Sequence, residues 1–249
     1  MKIAVISFSG NVGKTTIARH LLAPRLPGAR IVAIESINAG DDEDHVIRGR
    51  QFAELQEYLQ VVDSVVVDIG ASNIEDLLAL MRRYRGSHED FDAFVVPTVP
   101  AGKQQRDTIA TLAELSRLGI PASRVHVLFN MVDDGTELER VFEPVIAFLQ
   151  QSSVATASLD CRLGVNEIYG RVQGSAVNLA DLAADRTDYK ALIAAATDSG
   201  VRLALAQRLA TRRLAIGVVP ELDACFAALQ LGAFADQHAD AASAAGVNP

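Results

Sequence analysis

The sequence predicts a doubly wound, mostly parallel α/β fold with a helical C-terminal extension, and three observations carry that prediction. Short Val- and Ile-rich runs recur at Ile3–Ser7, Ile31–Ile34, Ser64–Ile69, Ala93–Val96 and Val125–Phe129. These runs are continuously apolar rather than alternating, as strands buried on both faces are. Helical stretches separate them, which is the rhythm of a parallel sheet covered by helices on both sides.

The elements follow in order. The first strand runs directly into Phe8-Ser9-Gly10-Asn11-Val12-Gly13-Lys14-Thr15-Thr16, and a helix over Thr15–Leu22 opens behind that turn. His20 reads as an exposed residue of this helix. Further helices are expected from about Gly49 to Leu59, at Ile74–Tyr84 with Ser72 or Asn73 as N-cap, and at Thr108–Arg117 ending at Gly119. Beyond Gln150 the pattern weakens: Val154–Leu159 reads as a sixth strand, and Leu179–Ala196, Val201–Ala215 and Glu221–Ala228 read as helices. The tail from Ala235 to Pro249, rich in Ala and small polar residues, is expected to be disordered. The expected organisation is an α/β domain over 1–178, a helical part over 179–234 packed on it, and a tail over 235–249. No internal repeat is present.

Composition narrows the function classes. A chain of 249 residues with 49% hydrophobic and 22% charged residues has a full core and is neither disordered nor collagenous. Its apolar runs are strand-length, far short of the roughly 20 residues that a membrane span needs, so no span is expected. The first strand begins at Lys2, which leaves no room for a signal peptide, and Cys161 and Cys225 make no disulfide framework. The expectation is a cytoplasmic protein with reduced, structural thiols. A net charge of −8 argues against wholesale non-specific binding to nucleic acid or anionic lipid. One local exception is Arg202, Arg208, Arg212 and Arg213, which fall within an arc of roughly 140° on one helix. Leu205 and Leu209 share that arc, so the helix reads either as packed by its leucines with the guanidinium groups in solvent, or as a DNA-contacting surface.

The chemistry concentrates at strand ends, where open parallel sheets gather their ligands. A Gly-Lys-Thr turn between a buried strand and a helix holds nucleotide phosphates. The N–H groups of Ser9, Gly10, Asn11, Val12, Gly13 and Thr16 curl around the anion, Lys14 reaches the β- and γ-oxygens, and the Thr15 hydroxyl ligates Mg²⁺. The full phosphate-loop pattern has glycine five residues before Gly13, and Phe8 stands there instead. Asp68 closes the third strand, placed to hold the Mg²⁺ water shell, and Gly70 follows with an N–H suited to a γ-phosphate. Glu35, after the second strand, is a candidate for orienting a water or a metal shell, with Asn38 in a related role. The acidic run Asp41-Asp42-Glu43-Asp44 reads as a solvated loop. Asn130 ends the fifth strand with an amide suited to a purine edge. Asn130-Met131-Val132-Asp133 is one change from the Asn-Lys-x-Asp guanine signature, which leaves the base open between adenine and guanine.

Over roughly residues 1–175 the loop, the strand order, Asp68 and Asn130 resemble the ParA/MinD family of deviant phosphate-loop ATPases. Met1–Arg25 and Glu35-Ser36-Ile37-Asn38 are most similar to the StbB-type plasmid stability proteins within it. The resemblance implies ATP as ligand with Mg²⁺, slow and partner-stimulated hydrolysis, and a nucleotide-dependent homodimer. It also implies a switch that positions plasmid DNA or a conjugation complex through a plasmid-encoded adaptor or a DNA-binding partner. The signature lysine that crosses to the partner's nucleotide in that family is Ser9 here. Either Lys103 or Arg106 substitutes, or the nucleotide sandwich is weaker or absent. The basic amphipathic C-terminal helix by which MinD-like members hold membranes is lacking. Two rivals stand beside the switch: an ATP-dependent ligase or kinase of the dethiobiotin synthetase type, and a binding module with little hydrolysis.

Overall fold

The computed structural model describes residues 1–34 and 51–231, together with the backbone alone at 49 and 50. Six strands, β1 (Lys2–Val5), β2 (Arg30–Ile34), β3 (Val65–Ile69), β4 (Ala93–Thr98), β5 (Val125–Val132) and β6 (Thr156–Gly164), form one sheet in the order β2-β3-β1-β4-β5-β6. All pairs are parallel. This is the predicted doubly wound α/β architecture. β1 lies at the centre, between β3 and β4, and its chain leaves toward one edge while later connections run to the other. The loop after β1 therefore opens at the point where the strand order reverses.

Period-two alternation divides the core between the two faces of the sheet. Ala4 of β1 and Ile6 just beyond it, with Val65, Val67 and Ile69 of β3, join one cluster with α2 (Gly49–Val61), α3 (Ile74–Arg83), α4 (Gly102–Arg117) and α6 (Glu143–Ser152). Ile3, Val5 and Val66 face the other way, onto the helix that follows the loop and onto α7 (Ile168–Arg171), α8 (Leu179–Ala184) and α10 (Ser199–Ala228). Asp68, two residues beyond Val66, belongs to this second face, which is also the face of the helix carrying Thr15.

Several elements depart from expectation for identifiable reasons. β4 continues through Pro97 to Thr98. The Val95 carbonyl accepts from Ile6 N–H, so Pro97, two residues on, turns its missing donor to the side where β1 has already ended. β6 begins later and ends at Gly164, with a bulged register against β5. The helix after the loop starts as α1 (Lys14–Thr16), widens into a π-helix over Ile17–Leu22, and closes with a 3-10 turn over Ala23–Arg25. Arg25 caps it, donating Nη1 to the carbonyls of His20 (2.9 Å) and Leu21 (3.0 Å), groups that a helix end leaves without partners. α4 begins six residues before the expected Thr108, at Gly102.

The expected helix over Leu179–Ala196 is two helices, α8 and α9 (Tyr189–Ala195). Between them Asp185 accepts from Thr187 N–H and Oγ1–H and from the Tyr189 hydroxyl, and Asp188 caps α9 at Ala191 N–H; these side-chain bonds compete with helix continuation. Conversely, the two expected helices around Pro220 are one 30-residue helix, α10, with Pro220 on an exposed position. α5 (Leu138–Val141) and α6 fill the connection between β5 and β6. Asn73 stands at the N-cap position of α3, but its amide donates to the Ile34 carbonyl at 3.1 Å and makes no cap.

Cys161 on β6 and Cys225 on α10 are free, buried thiols with sulfur atoms 4.0 Å apart, and the Cys161 thiol is pushed up by the Cys225 contact and by burial. No helix among the described residues is long and apolar enough to cross a membrane.

His20 is buried rather than exposed, with its ring 5.8 Å from that of Tyr169. His126 is buried on β5 with Nδ1 2.9 Å from the Thr156 hydroxyl oxygen. Burial lowers both imidazoles to about 4, with Arg19 adding to the effect at His20. Unfolded histidines take up protons near 6.5 while these wait until about 4, so stability falls as pH drops through that window, by at most about 3 kcal/mol per histidine. Urea midpoints measured between about pH 7 and about pH 4.5 are expected to fall steeply, and more shallowly in a His126→Gln protein.

Candidate phosphate-binding site

The loop between β1 and α1 turns on one residue. Gly13 has φ +83°, a left-handed conformation, and a Cβ there would lie 2.3 Å from Asn130 Nδ2. Glycine is therefore required twice over, for backbone freedom and for space. Asn11 also adopts a left-handed conformation, with φ +56°. The buried Asn130 side chain donates Nδ2–H to the Val12 carbonyl at 2.9 Å, tying the end of β5 to the loop. The amide expected at a purine edge thus spends one donor on the loop itself.

Lys14 is 8% exposed, and its ammonium donates to the carbonyls of Ser9 (2.7 Å) and Ser7 (3.4 Å). Burial lowers its pKa, opposed by the nearby Asp68 carboxylate. Thr15 donates its hydroxyl to Asp68 Oδ2 at 2.6 Å, as the shared sheet face requires. Gly10, Asn11, Gly13, Lys14, Thr15, Thr16, Asp68 and Gly70 line one cavity of about 280 Å³ at this end of the sheet. The Gly70 N–H is bonded to the Ile34 carbonyl at 2.9 Å, so a phosphate would have to displace that bond to use it.

Ser9 is buried beneath the loop, and its hydroxyl donates to Asp107 of α4. Val12 is fully buried and contributes its backbone. Glu35, Asn38 and the run 41–44 lie outside the described residues, as does the tail beyond 231. Lys103 pairs with Asp107 at 3.3 Å and is otherwise exposed. Met131, with φ +56°, has its Cε 3.7 Å from where a Gly13 Cβ would sit, and so lies over the loop. Asp133 lines a separate cavity of about 610 Å³ with Asp134, Asp160, Arg162 and Glu221, away from the loop's own cavity.

The arginine helix is partly committed. Arg202 donates to the Ala196 carbonyl at 3.0 Å. Arg212 donates to the Thr187 carbonyl at 2.8 Å and sits 5.9 Å over the Tyr189 ring, joining α10 to α9. Arg208 and Arg213 are exposed.

Sequence reasoning missed Asp107 and Thr111. Asp107 is 98 positions from Ser9, and Thr111 Oγ1 accepts from the Phe8 N–H at 3.1 Å. Only the four-residue spacing of Lys103 and Asp107 marks the position locally, and that spacing reads as an ordinary helical ion pair.

Gly13→Ala is expected to destabilise the protein by about 2 kcal/mol or more, through left-handed strain and the clash with Asn130. Gly10 has open space around it and no such strain, so Gly10→Ala is expected to stay within about 0.5 kcal/mol. Parallel urea denaturation of the two variants measures the difference.

No protein-family model matches the chain, and no curated protein matches it. Among solved structures it is similar to apo McdA from Cyanothece, with 13% identity over 86% of this chain and 98% of that one and a TM-score of 0.49. It is also similar to the cell division protein MinD from Aquifex aeolicus, with 13% identity over 86% and 95% and a TM-score of 0.47. The septum site-determining protein MinD from Pyrococcus horikoshii, in complex with Mg-ADP, is 14% identical over 88% and 95% with a TM-score of 0.43.

Proposed function

We propose that the protein is a Mg²⁺- and ATP-dependent switch ATPase of the ParA/MinD type, in the StbB-like branch, acting in plasmid stability, partition or positioning, or conjugation. The observation that carries this reading is the Thr15–Asp68 hydrogen bond at 2.6 Å, set beside the buried Lys14 ammonium around one cavity. A hydroxyl and a carboxylate that meet in this way offer hard oxygen ligands of the kind Mg²⁺ prefers. Among the described residues no group of three or more His, Cys, Asp or Glu side chains could hold a metal. An ion bound beside Thr15 and Asp68 would be held by one or two protein oxygens, with water and nucleotide phosphates completing its shell.

In this reading Lys14 stabilises charge on the transferring phosphoryl group, Thr15 and Asp68 hold Mg²⁺ directly or through water, and the N–H groups of the loop cradle the phosphates. Glu35 orients the attacking water, Gly70 reports the γ-phosphate after leaving Ile34, and Asn130 with Met131 borders the base. Hydrolysis is slow and stimulated by a plasmid-encoded adaptor or a DNA-binding partner, and nucleotide-bound chains pair as homodimers. Support for direct DNA contact through α10 is narrower than the sequence suggested, since Arg202 and Arg212 are bonded to backbone carbonyls.

Titration with a fluorescent ATP analogue, competed by ATP, ADP and GTP with light scattering on the same samples, tests the reading. ATP-selective binding with a doubling of mass is expected, together with at least about 100-fold weaker binding in Lys14→Ala. Normal ATP binding by that variant refutes the reading. Tight binding by a persistent monomer would favour the binding module or the small-molecule enzyme instead.

A further inference from the structure

We propose that Asp107 of α4 is a positioning residue for the phosphate loop, holding Lys14 in place through Ser9; this rests on reading the loop as a nucleotide site. Ser9 is 1% exposed, and three of its polar groups are engaged. Its N–H donates to Ser7 Oγ at 3.2 Å, its carbonyl accepts from the Lys14 ammonium at 2.7 Å, and its hydroxyl donates to the Asp107 carboxylate. One residue earlier, the Phe8 N–H donates to Thr111 Oγ1 at 3.1 Å, and the Thr111 hydroxyl donates in turn to the Asp107 carbonyl at 2.7 Å. A single turn of α4 therefore grips two successive loop residues, and the second of them carries the carbonyl against which Lys14 rests.

The electrostatics support the same role. The Ser9 hydroxyl holds the Asp107 carboxyl below the usual carboxylate range, against the opposing effect of burial and with further help from Lys103 and Arg106. Asp107 is thus an anion at neutral pH, and a hydroxyl donating to a carboxylate is among the stronger hydrogen bonds available to a protein. No phosphate contact is assigned to Asp107; it acts on Lys14 through Ser9. A residue at position 9 that reached outward could not make this bond. The chain has instead turned that side chain inward and used it to fix the loop from within one molecule. Preorganisation of this kind raises affinity by removing the cost of ordering the loop when ligand arrives.

The test is the dissociation constant of the same fluorescent ATP analogue for the full-length protein, Asp107→Ala, Ser9→Ala, the double variant and Asp107→Asn, with melting curves on each. Each alanine variant is expected to weaken binding about tenfold. The double variant is expected to bind no more weakly than either single one, because both changes break the same link. Asp107→Asn keeps a carbonyl acceptor for the Ser9 hydroxyl and is expected to stay within about threefold. This rescue, with melting temperatures close to that of the parent, is what a general loss of fold would not produce. Should Asp107→Ala fail to fold, the contrast between Ser9→Ala and Asp107→Asn decides the matter alone. Unchanged affinity in the alanine variants, or additive losses in the double variant, overturns the proposal while leaving the nucleotide reading intact. A parent protein that binds no nucleotide overturns both.

Discussion

A lysine ammonium taken almost wholly out of water is the constraint around which this structure is organised. Moving a charge of that size away from solvent costs several kcal/mol unless other groups replace the lost hydration. Two carbonyls of the loop and the Asp68 carboxylate supply that replacement here. The loop must therefore curl back on itself so that Ser7 and Ser9 present their carbonyls inward, and it can do so only if Gly13 accepts a left-handed backbone. The strand before it must also be central, because an edge strand would leave the ammonium beside solvent.

The parity of the strands does the remaining work at the site. Asp68 reaches Thr15 because residues 66 and 68 of β3 face the same side of the sheet and the helix after the loop packs on that side. A one-residue slip of β3 against β1 would turn Asp68 into the opposite core, among Leu and Phe side chains, where a carboxylate is costly. The observed pairing of Val5 with Asp68 keeps the carboxylate at the open end of the sheet. Fold and site thus share one register, and an error in the first would abolish the second.

What was legible in the sequence follows from the range of the interactions involved. Four of the five runs of Val and Ile were legible because burial on both faces requires apolar residues at every position, whatever the neighbours are; the second, β2, is an edge strand with Ile31 exposed, and its Val and Ile content reflects strand propensity instead. The order Gly13-Lys14-Thr15 and the acid at Asp68 were legible because a strand end fixes where their side chains go. Helix boundaries between residues 179 and 228 were not, because Asp185, Asp188 and Pro220 act through particular side-chain bonds and solvent exposure rather than through periodicity. His20 was misjudged for a related reason: the helix carries it toward Tyr169, which enters from a segment nearly 150 positions away in the chain. Asp107 left no mark, since nothing near it in sequence distinguishes a loop tether from a surface ion pair.

The two halves of the loop are suspended from different parts of the sheet, and this division bears on how a bound nucleotide would be sensed. The first half, Phe8 and Ser9, hangs from α4; the second, Val12, hangs from β5 through Asn130. Lys14 crosses between them, rooted in the second half and resting on the first. On the proposed reading, a γ-phosphate arriving in the cavity would compete with the Ser9 and Ser7 carbonyls for the ammonium, and each charged hydrogen bond surrendered would be worth about 1.5–3 kcal/mol. That exchange would be favourable because the phosphate brings full charge where the carbonyls bring dipoles. Its mechanical effect falls on Ser9, which would lose its strongest partner within the loop while keeping Asp107. Strain of that kind passes to α4 more directly than to β5, because Ser9 has both a side-chain and a neighbouring backbone link to the same helical turn. On that reading, the turn of α4 that carries Asp107 and Thr111 would be the part of the fold most directly coupled to whether the ammonium is occupied.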